Sequence, residues 1–138
     1  MPDKKSFSIQ ASLQRFSSQK VRSQNERRKF AAKNDLITLD LAVAELGNVA
    51  WERAILYEED EDTTLAALQD CRDFIAGSCA LLRSFDLVEE AYEISVSHKI
   101  AFYDSLFLAA ADKERAPLFT LDKKLHEKVK AKKNVRVI

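Results

Sequence analysis

The spacing of apolar positions along the chain alternates short β-rich runs with helical stretches. Residues 6–13, with Phe7, Ile9 and Leu13, predict a short strand, and Ser17 or Ser18 can cap a helix reaching Arg28 to Ala32. That helix is weakly specified, because its polar run QKVRSQNERRK leaves Val21 and Phe30 as its clear anchors. LITL (36–39) predicts a second strand, and Asp40 is a good N-cap for a helix through about Tyr57 with Leu41, Ala44, Val49 and Trp51 as apolar contacts. After the loop EEDEDTT, Thr63 or Thr64 restarts a helix to about Ile75, with Leu65, Leu68, Cys71 and Phe74 at helical spacing and Gly77 as its end. CALL (79–82) predicts a third strand, and Asp86 can cap a helix carrying Leu87, Ala91, Ile94 and Val96. Residues 103–113 are apolar almost all round and predict a buried helix. PLFTL (117–121) predicts a fourth strand, Asp122 opens a basic helix, and NVRVI supplies a fifth strand.

Parallel strands need crossovers that helices usually provide, so this alternation predicts an α/β fold: a three-layer α/β/α sandwich around a central, mainly parallel, five-stranded sheet. A length of 138 residues without repeats or linker composition predicts a single domain over 1–138 with a core large enough to need no staples. Apolar residues at 46% and charged residues at 32% exclude disordered and collagen-like classes. Cys71 and Cys79 lie among small and apolar residues without metal-ligand spacing and predict two buried thiols in a reducing cytoplasm. The N-terminal residues carry no apolar core of signal-peptide length, and LFLAAA is too short to span a bilayer, so neither secretion nor membrane insertion is indicated.

Charge changes the picture because it is segregated while the net is zero. Residues 1–33 carry nine Lys or Arg against two acids, residues 34–122 six against nineteen, and residues 123–138 seven against one. Basic ends around an acidic middle suit a positive rim for a polyanion around a centre that needs a cation; the same distribution also describes two solvated basic segments on a neutral protein. Three acids stand at the tips of apolar segments: Glu45 in DLAVAELGNVAW, Asp104 in IAFYDSLFLAAA and Asp122 in APLFTLDKKL. Ligand groups of open parallel sheets gather beyond the carboxyl ends of the strands, where these positions fall, and hard divalent cations take oxygen ligands. Each acid alone is also what a helix cap or a favourable first-turn charge looks like. His98 and His126 are too far apart to form a catalytic pair, and Trp51 and most Phe residues are expected in the core, with Phe102 and Tyr103 the only aromatics for which a stacking role is left open.

The stretches DLITLDLAVAELGNVAWERA and SHKIAFYDSLFLAAADKERAPLFTLDKKL, following a short N-terminal strand in FSIQASLQRF, resemble the PIN domain family, and within it the VapC-like toxins of toxin–antitoxin pairs. The resemblance covers nearly the whole chain, and the YDSLFLAAA stretch followed by APLFTLD is its most specific part. It implies a Mg²⁺- or Mn²⁺-dependent ribonuclease in which Glu45, Asp104 and Asp122 are the second, third and fourth acids around the metal. Asp104 and Asp122 would hold the ion with Glu45 in or near its shell, for metal-assisted phosphodiester hydrolysis. Thr120 beside the last acid, Asn48 near Glu45, and Ser12 in the first motif would orient ligands or water, while Lys123, Lys124 and Lys128 would contact the RNA backbone. The first acid of the family pattern is replaced here by Gln10, which removes one unit of charge and implies weaker metal binding. The resemblance further implies RNA as substrate, an antitoxin protein as partner and a homodimer. The alternative it leaves open is a catalytically degenerate PIN domain that serves as an RNA-binding or partner-binding module.

Overall fold

The computed structural model describes residues 5–9, 29, 32–120 and 122–137, with the backbone path alone for 5–9 and 34. The end of the first strand expected over 6–13 and nearly all of the helix expected before residue 33 lie outside the described residues. The described elements are β1 (Lys5–Ile9), β2 (Asn34–Leu39), α1 (Leu41–Ile55), α2 (Glu61–Ser78), β3 (Cys79–Leu82), a 3₁₀ turn (Ser84–Leu87), α3 (Val88–His98), α4 (Phe102–Lys113), β4 (Leu118–Thr120), α5 (Lys123–Val129) and β5 (Val135–Val137). The α/β class expected from the alternating pattern holds. The strands are short, each described pair is parallel, and their order is β3-β2-β1-β4-β5.

This order places a topological switch between β1 and β4, since the chain fills one side of β1 with β2 and β3 before crossing to the other. Crevices that receive ligands open at such a switch, beyond the carboxyl ends of the strands. α4 leads into β4 and must run back across the sheet, so its first turn stands at that edge. Residues 105–111 of α4 are all buried and the helix contacts β1, β2 and β4, as its uniformly apolar sequence requires. Phe107 is fully enclosed, which stabilises the fold by roughly 1.5–3 kcal/mol relative to an exposed ring. Around it pack Leu39 and Leu46 from the β2–α1 unit, Ala91 and Ile94 from α3, and Leu118 from β4.

Several local expectations are corrected. α2 begins at Glu61, with Asp60 as its N-cap, accepting from the Thr63 backbone N–H at 2.9 Å and the Thr63 hydroxyl at 2.7 Å. A carboxylate is a stronger acceptor for a helix start than the Thr hydroxyls, so it fixes the boundary. Gly77 does not end that helix. No glycine has a positive φ, α2 continues through Ser78, and the turn into extended backbone at Cys79 (φ −117°, ψ 140°) stops it. Asp86 lies in the 3₁₀ turn, and α3 follows Leu87 without a side-chain cap. Asp40 occupies the N-cap position of α1 but makes no cap bond; its Oδ1 accepts from the Ser84 N–H and its own N–H donates to the Leu82 carbonyl, both at 3.0 Å, tying the ends of β2 and β3 together.

The buried faces are also narrower than the apolar pattern suggests. α1 buries Ala42 and Leu46 and leaves Ala44 and Trp51 exposed; a residue five positions beyond Leu46 is turned roughly 140° away from it. Leu65 on α2, Val96 on α3 and Phe85 are likewise exposed, so Trp51 and Phe85 are not core residues. Cys71 and Cys79 are free and only partly buried, and burial pushes the Cys79 thiol up to about 11, which keeps it protonated. Among the described residues no helix is long and apolar enough to cross a membrane.

Candidate functional site

Glu45 sits in the second turn of α1, just past the carboxyl end of β2, and is half-buried against the core that Leu46 enters. Asp104 is in the first turn of α4, where a negative charge meets the positive end of the helix, and the following Ser105 is fully buried with its hydroxyl donating to the Ala101 carbonyl at 3.1 Å. Two elements distant in sequence thus bring these carboxylates together at the strand ends. Their proximity is felt electrostatically: Glu45 is pushed up to about 7, first by burial and then by the negative charge of Asp104. Two half-buried acids that resist being anionic together form a site that a cation would relieve.

Asp122 follows β4 at the same edge, but its chemistry is local. Its Oδ1 accepts from the backbone N–H of Lys124 at 2.8 Å and of Leu125 at 3.1 Å, making it the N-cap of α5. Its own N–H donates to Oγ1 of Thr120 at 3.0 Å, and Thr120 is fully buried at the end of β4. The Thr–x–Asp spacing therefore builds a self-contained turn that carries the helix start. β4 is separated from β2 by β1, so the ends of β2 and β4 are about 10 Å apart at the usual interstrand spacing. Among the described residues no three His, Cys, Asp or Glu side chains gather closely enough to hold a metal ion. Glu45 and Asp104 are brought together; Asp122 shares their edge of the sheet.

The remaining candidates divide similarly. Asn48, one turn beyond Glu45, is exposed and its Nδ2 donates to Oε1 of Glu52 at 3.0 Å. Lys123, Lys124 and Lys128 are exposed on α5, immediately past Asp122. Gln10 and Ser12 lie outside the described residues. Hydropathy reading missed the part of Asp40, whose bond to Ser84 fixes the β2 end from which α1 and Glu45 depart; the signal available was an acid directly after a strand, which suits either a cap or a cross-link.

The chain is similar to known proteins in both sequence and fold. The PIN domain pattern matches residues 13–131. Over 113 residues the chain is 31% identical to Ribonuclease VapC3 of Pyrobaculum aerophilum, covering 80% of this chain and 83% of the relative. In fold it is similar to the crystal structure of PAE2754 from Pyrobaculum aerophilum, with a TM-score of 0.64 at 22% identity over 90% of this chain and 79% of that one. With a carboxylate pair at the strand ends, a PIN pattern over most of its length and a relative of this identity, the chain belongs to the PIN domain family, in its VapC-type nuclease branch.

Proposed function

We propose that this protein is a metal-dependent endoribonuclease of the VapC type, acting as a single domain whose sheet is the middle layer of an α/β/α sandwich. The observation that carries the reading is the Glu45–Asp104 pair: two carboxylates from separate helices, one of them held near neutrality by burial and by the other's charge. A hard oxygen donor set of this kind fits Mg²⁺ or Mn²⁺. When bound, such an ion lowers the pKa of a water and stabilises charge on the transferring phosphoryl oxygens. The chain's residues do the rest: Asp104 and Glu45 supply negative charge at one point, and Asp122, with Gln10 outside the described residues, completes the set of ligand positions. Thr120 holds the Asp122 turn, with Ser12 and Asn48 as further hydroxyl and amide candidates, and Lys123, Lys124 and Lys128 present positive charge to the RNA backbone.

The neutral Gln10 in place of a fourth acid lowers the charge of the set and so its cation affinity, giving a weakened nuclease. Exposed Phe85, Val88, Tyr92 and Val96, spaced three and four residues apart along the 3₁₀ turn and α3, support a homodimer, and the acidic middle of the chain supports an antitoxin partner with basic residues. A cytoplasmic setting accords with two free cysteines.

One observation favours a second reading, a degenerate PIN domain that binds RNA or a partner without cleaving: Asp122 is engaged at the start of α5 and no acidic triad forms among the described residues. Cleavage of RNA by purified protein separates the two. The nuclease reading predicts cleavage that needs Mg²⁺ or Mn²⁺ and disappears in Asp104→Asn. RNA binding that ignores metal and never leads to cleavage supports the module, and a gain of activity in Gln10→Asp marks the chain as a nuclease weakened at that position.

A further inference from the structure

Asp40 stands at the N-cap position of α1, where an aspartate ordinarily accepts from a backbone N–H two or three residues on. Here it makes no such bond. Its Oδ1 accepts instead from the N–H of Ser84, 44 residues away in sequence, at 3.0 Å, and its own N–H donates to the Leu82 carbonyl at 3.0 Å. A helix start left without its side-chain cap in favour of a tie to a remote segment breaks a local rule, and such breaks gather at functional sites.

The tie connects the supports of the two site carboxylates. Asp40 is the single residue between β2 (Asn34–Leu39) and α1 (Leu41–Ile55), so the direction in which α1 leaves the sheet is set there. Ser84 opens the 3₁₀ turn, whose Leu87 is buried in one core with Leu106 and Phe107 of α4. α1 packs chiefly on α2, whereas α4 packs on α3, the 3₁₀ turn and the sheet. The helix carrying Glu45 and the helix carrying Asp104 are therefore held in relation through intermediaries, and the Asp40–Ser84 bond is the one that ends at the root of α1. Glu45 lies about 7.5 Å along the axis from that root, at 1.5 Å of rise per residue. A tilt of about 10° at Asp40 would move it by roughly 1 Å, half the length of a metal–oxygen bond.

We infer that Asp40 is a positioning residue for the Glu45–Asp104 pair: its bond to the Ser84 N–H anchors α1 to the segment on which α4 packs, and so sets the spacing at which the two carboxylates meet a divalent cation. The inference rests on the metal-site reading of that pair. Asp40 acts through α1 and is not itself a ligand.

The test is Mn²⁺ binding to the full chain, followed by the electron paramagnetic resonance signal of free Mn²⁺, so that neither RNA nor turnover enters. Asp40 is exposed, so its replacement opens no cavity. Asp40→Ala is expected to raise the Kd about 2- to 10-fold, the net effect of one hydrogen bond expressed as a ratio. Ser84→Pro deletes the donor from the other side: proline suits the first position of the turn, and Arg83 before it is already extended at φ −82° and ψ 120°. It should match Asp40→Ala, and the double variant should bind no more weakly than either single one. Asp40→Asn keeps the acceptor without the charge and should stay within about twofold of the parent. Parent affinity in Asp40→Ala or in Ser84→Pro, even where the melting temperature falls, leaves the bond a structural tie and overturns the inference. A loss in Asp40→Asn equal to that in Asp40→Ala assigns the effect to charge and overturns it too. Asp104→Asn tests the underlying reading separately. A parent that binds Mn²⁺ and loses it in Asp104→Asn, while Asp40→Ala binds normally, sinks the positioning role alone; a parent that binds no Mn²⁺, or binds it no better than Asp104→Asn, sinks the metal site and the positioning role together.

Discussion

Replacing Glu45 by Gln should stabilise this protein at alkaline pH and leave it unchanged in acid. The side chain keeps its shape and loses its charge. In the folded state the carboxyl is pushed from 4.5 up to about 7, chiefly by burial and secondly by Asp104, so between these values the native protein holds a proton that the unfolded chain has released. Stability then falls as pH rises: the contribution is fully present below about pH 4.5 and is lost as pH passes through about 7. A shift of that size corresponds to about 3.4 kcal/mol at 1.36 kcal/mol per unit for a fully enclosed group. Glu45 is only half-buried, and solvent screening reduces the figure to about 1–2 kcal/mol. Urea unfolding of parent and Glu45→Gln in EDTA at pH 4, 6 and 8 measures it. With a slope of about 2 kcal/mol/M, the variant's midpoint should exceed the parent's by roughly 0.5–1 M at pH 8 and match it at pH 4. Because burial outweighs Asp104 in the shift, Asp104→Asn should recover only the smaller part of the gain. A midpoint difference that is the same at all three pH values would refute the electrostatic coupling of α1 to α4.

Two further outcomes follow from geometry elsewhere. Asp122→Ala removes the acceptor of two backbone N–H groups at the start of α5 and should lower unfolding free energy by about 0.5–2 kcal/mol, whereas Asp122→Asn, also a good cap, should stay within a few tenths; thermal melts of both check this, and equal losses would mean the cap is not what Asp122 contributes. Lys99 closes α3 in the left-handed region at φ 53° and ψ 48°, so Lys99→Gly should raise stability by about 0.5–1 kcal/mol, measured by chemical denaturation, and a loss of stability would show that the lysine side chain has a role its backbone conceals.

The fold was legible where the pattern was extreme. CALL was bounded to the residue as β3, and the run from Tyr103 to Lys113, apolar almost all round, became α4 with residues 105–111 buried, because no other arrangement hides apolar atoms on every side of a helix. Helix starts were less legible. Asp60, Thr63 and Thr64 all favour a cap, and the choice of Asp60 follows from which acceptor reaches the free N–H groups, a matter of ångströms that composition does not carry. Trp51 misled for a related reason: a large apolar residue signals burial on average, and its rotation away from Ala42 and Leu46 decides the individual case.

At the site, the order of elements alone sends Glu45, Asp104 and Asp122 to the same edge of the sheet. Sequence could show the shared edge and could not show the division of labour within it. The charge of Asp104 raises the pKa of Glu45 from a separate helix, while Asp122 spends its Oδ1 on α5, an assignment set by its bond to Thr120. The role of Gln10 depends on residues outside those described.

The account stands most directly on where a divalent cation sits. A crystal of the full chain soaked in Mn²⁺ and measured at a wavelength where manganese scatters anomalously should show one peak between the Glu45 and Asp104 carboxylates, about 2.0–2.3 Å from their oxygens, the range for small divalent cations, and that peak should vanish in Asp104→Asn. A peak elsewhere on the molecule with none between these two carboxylates, or a peak that persists in Asp104→Asn, would contradict it.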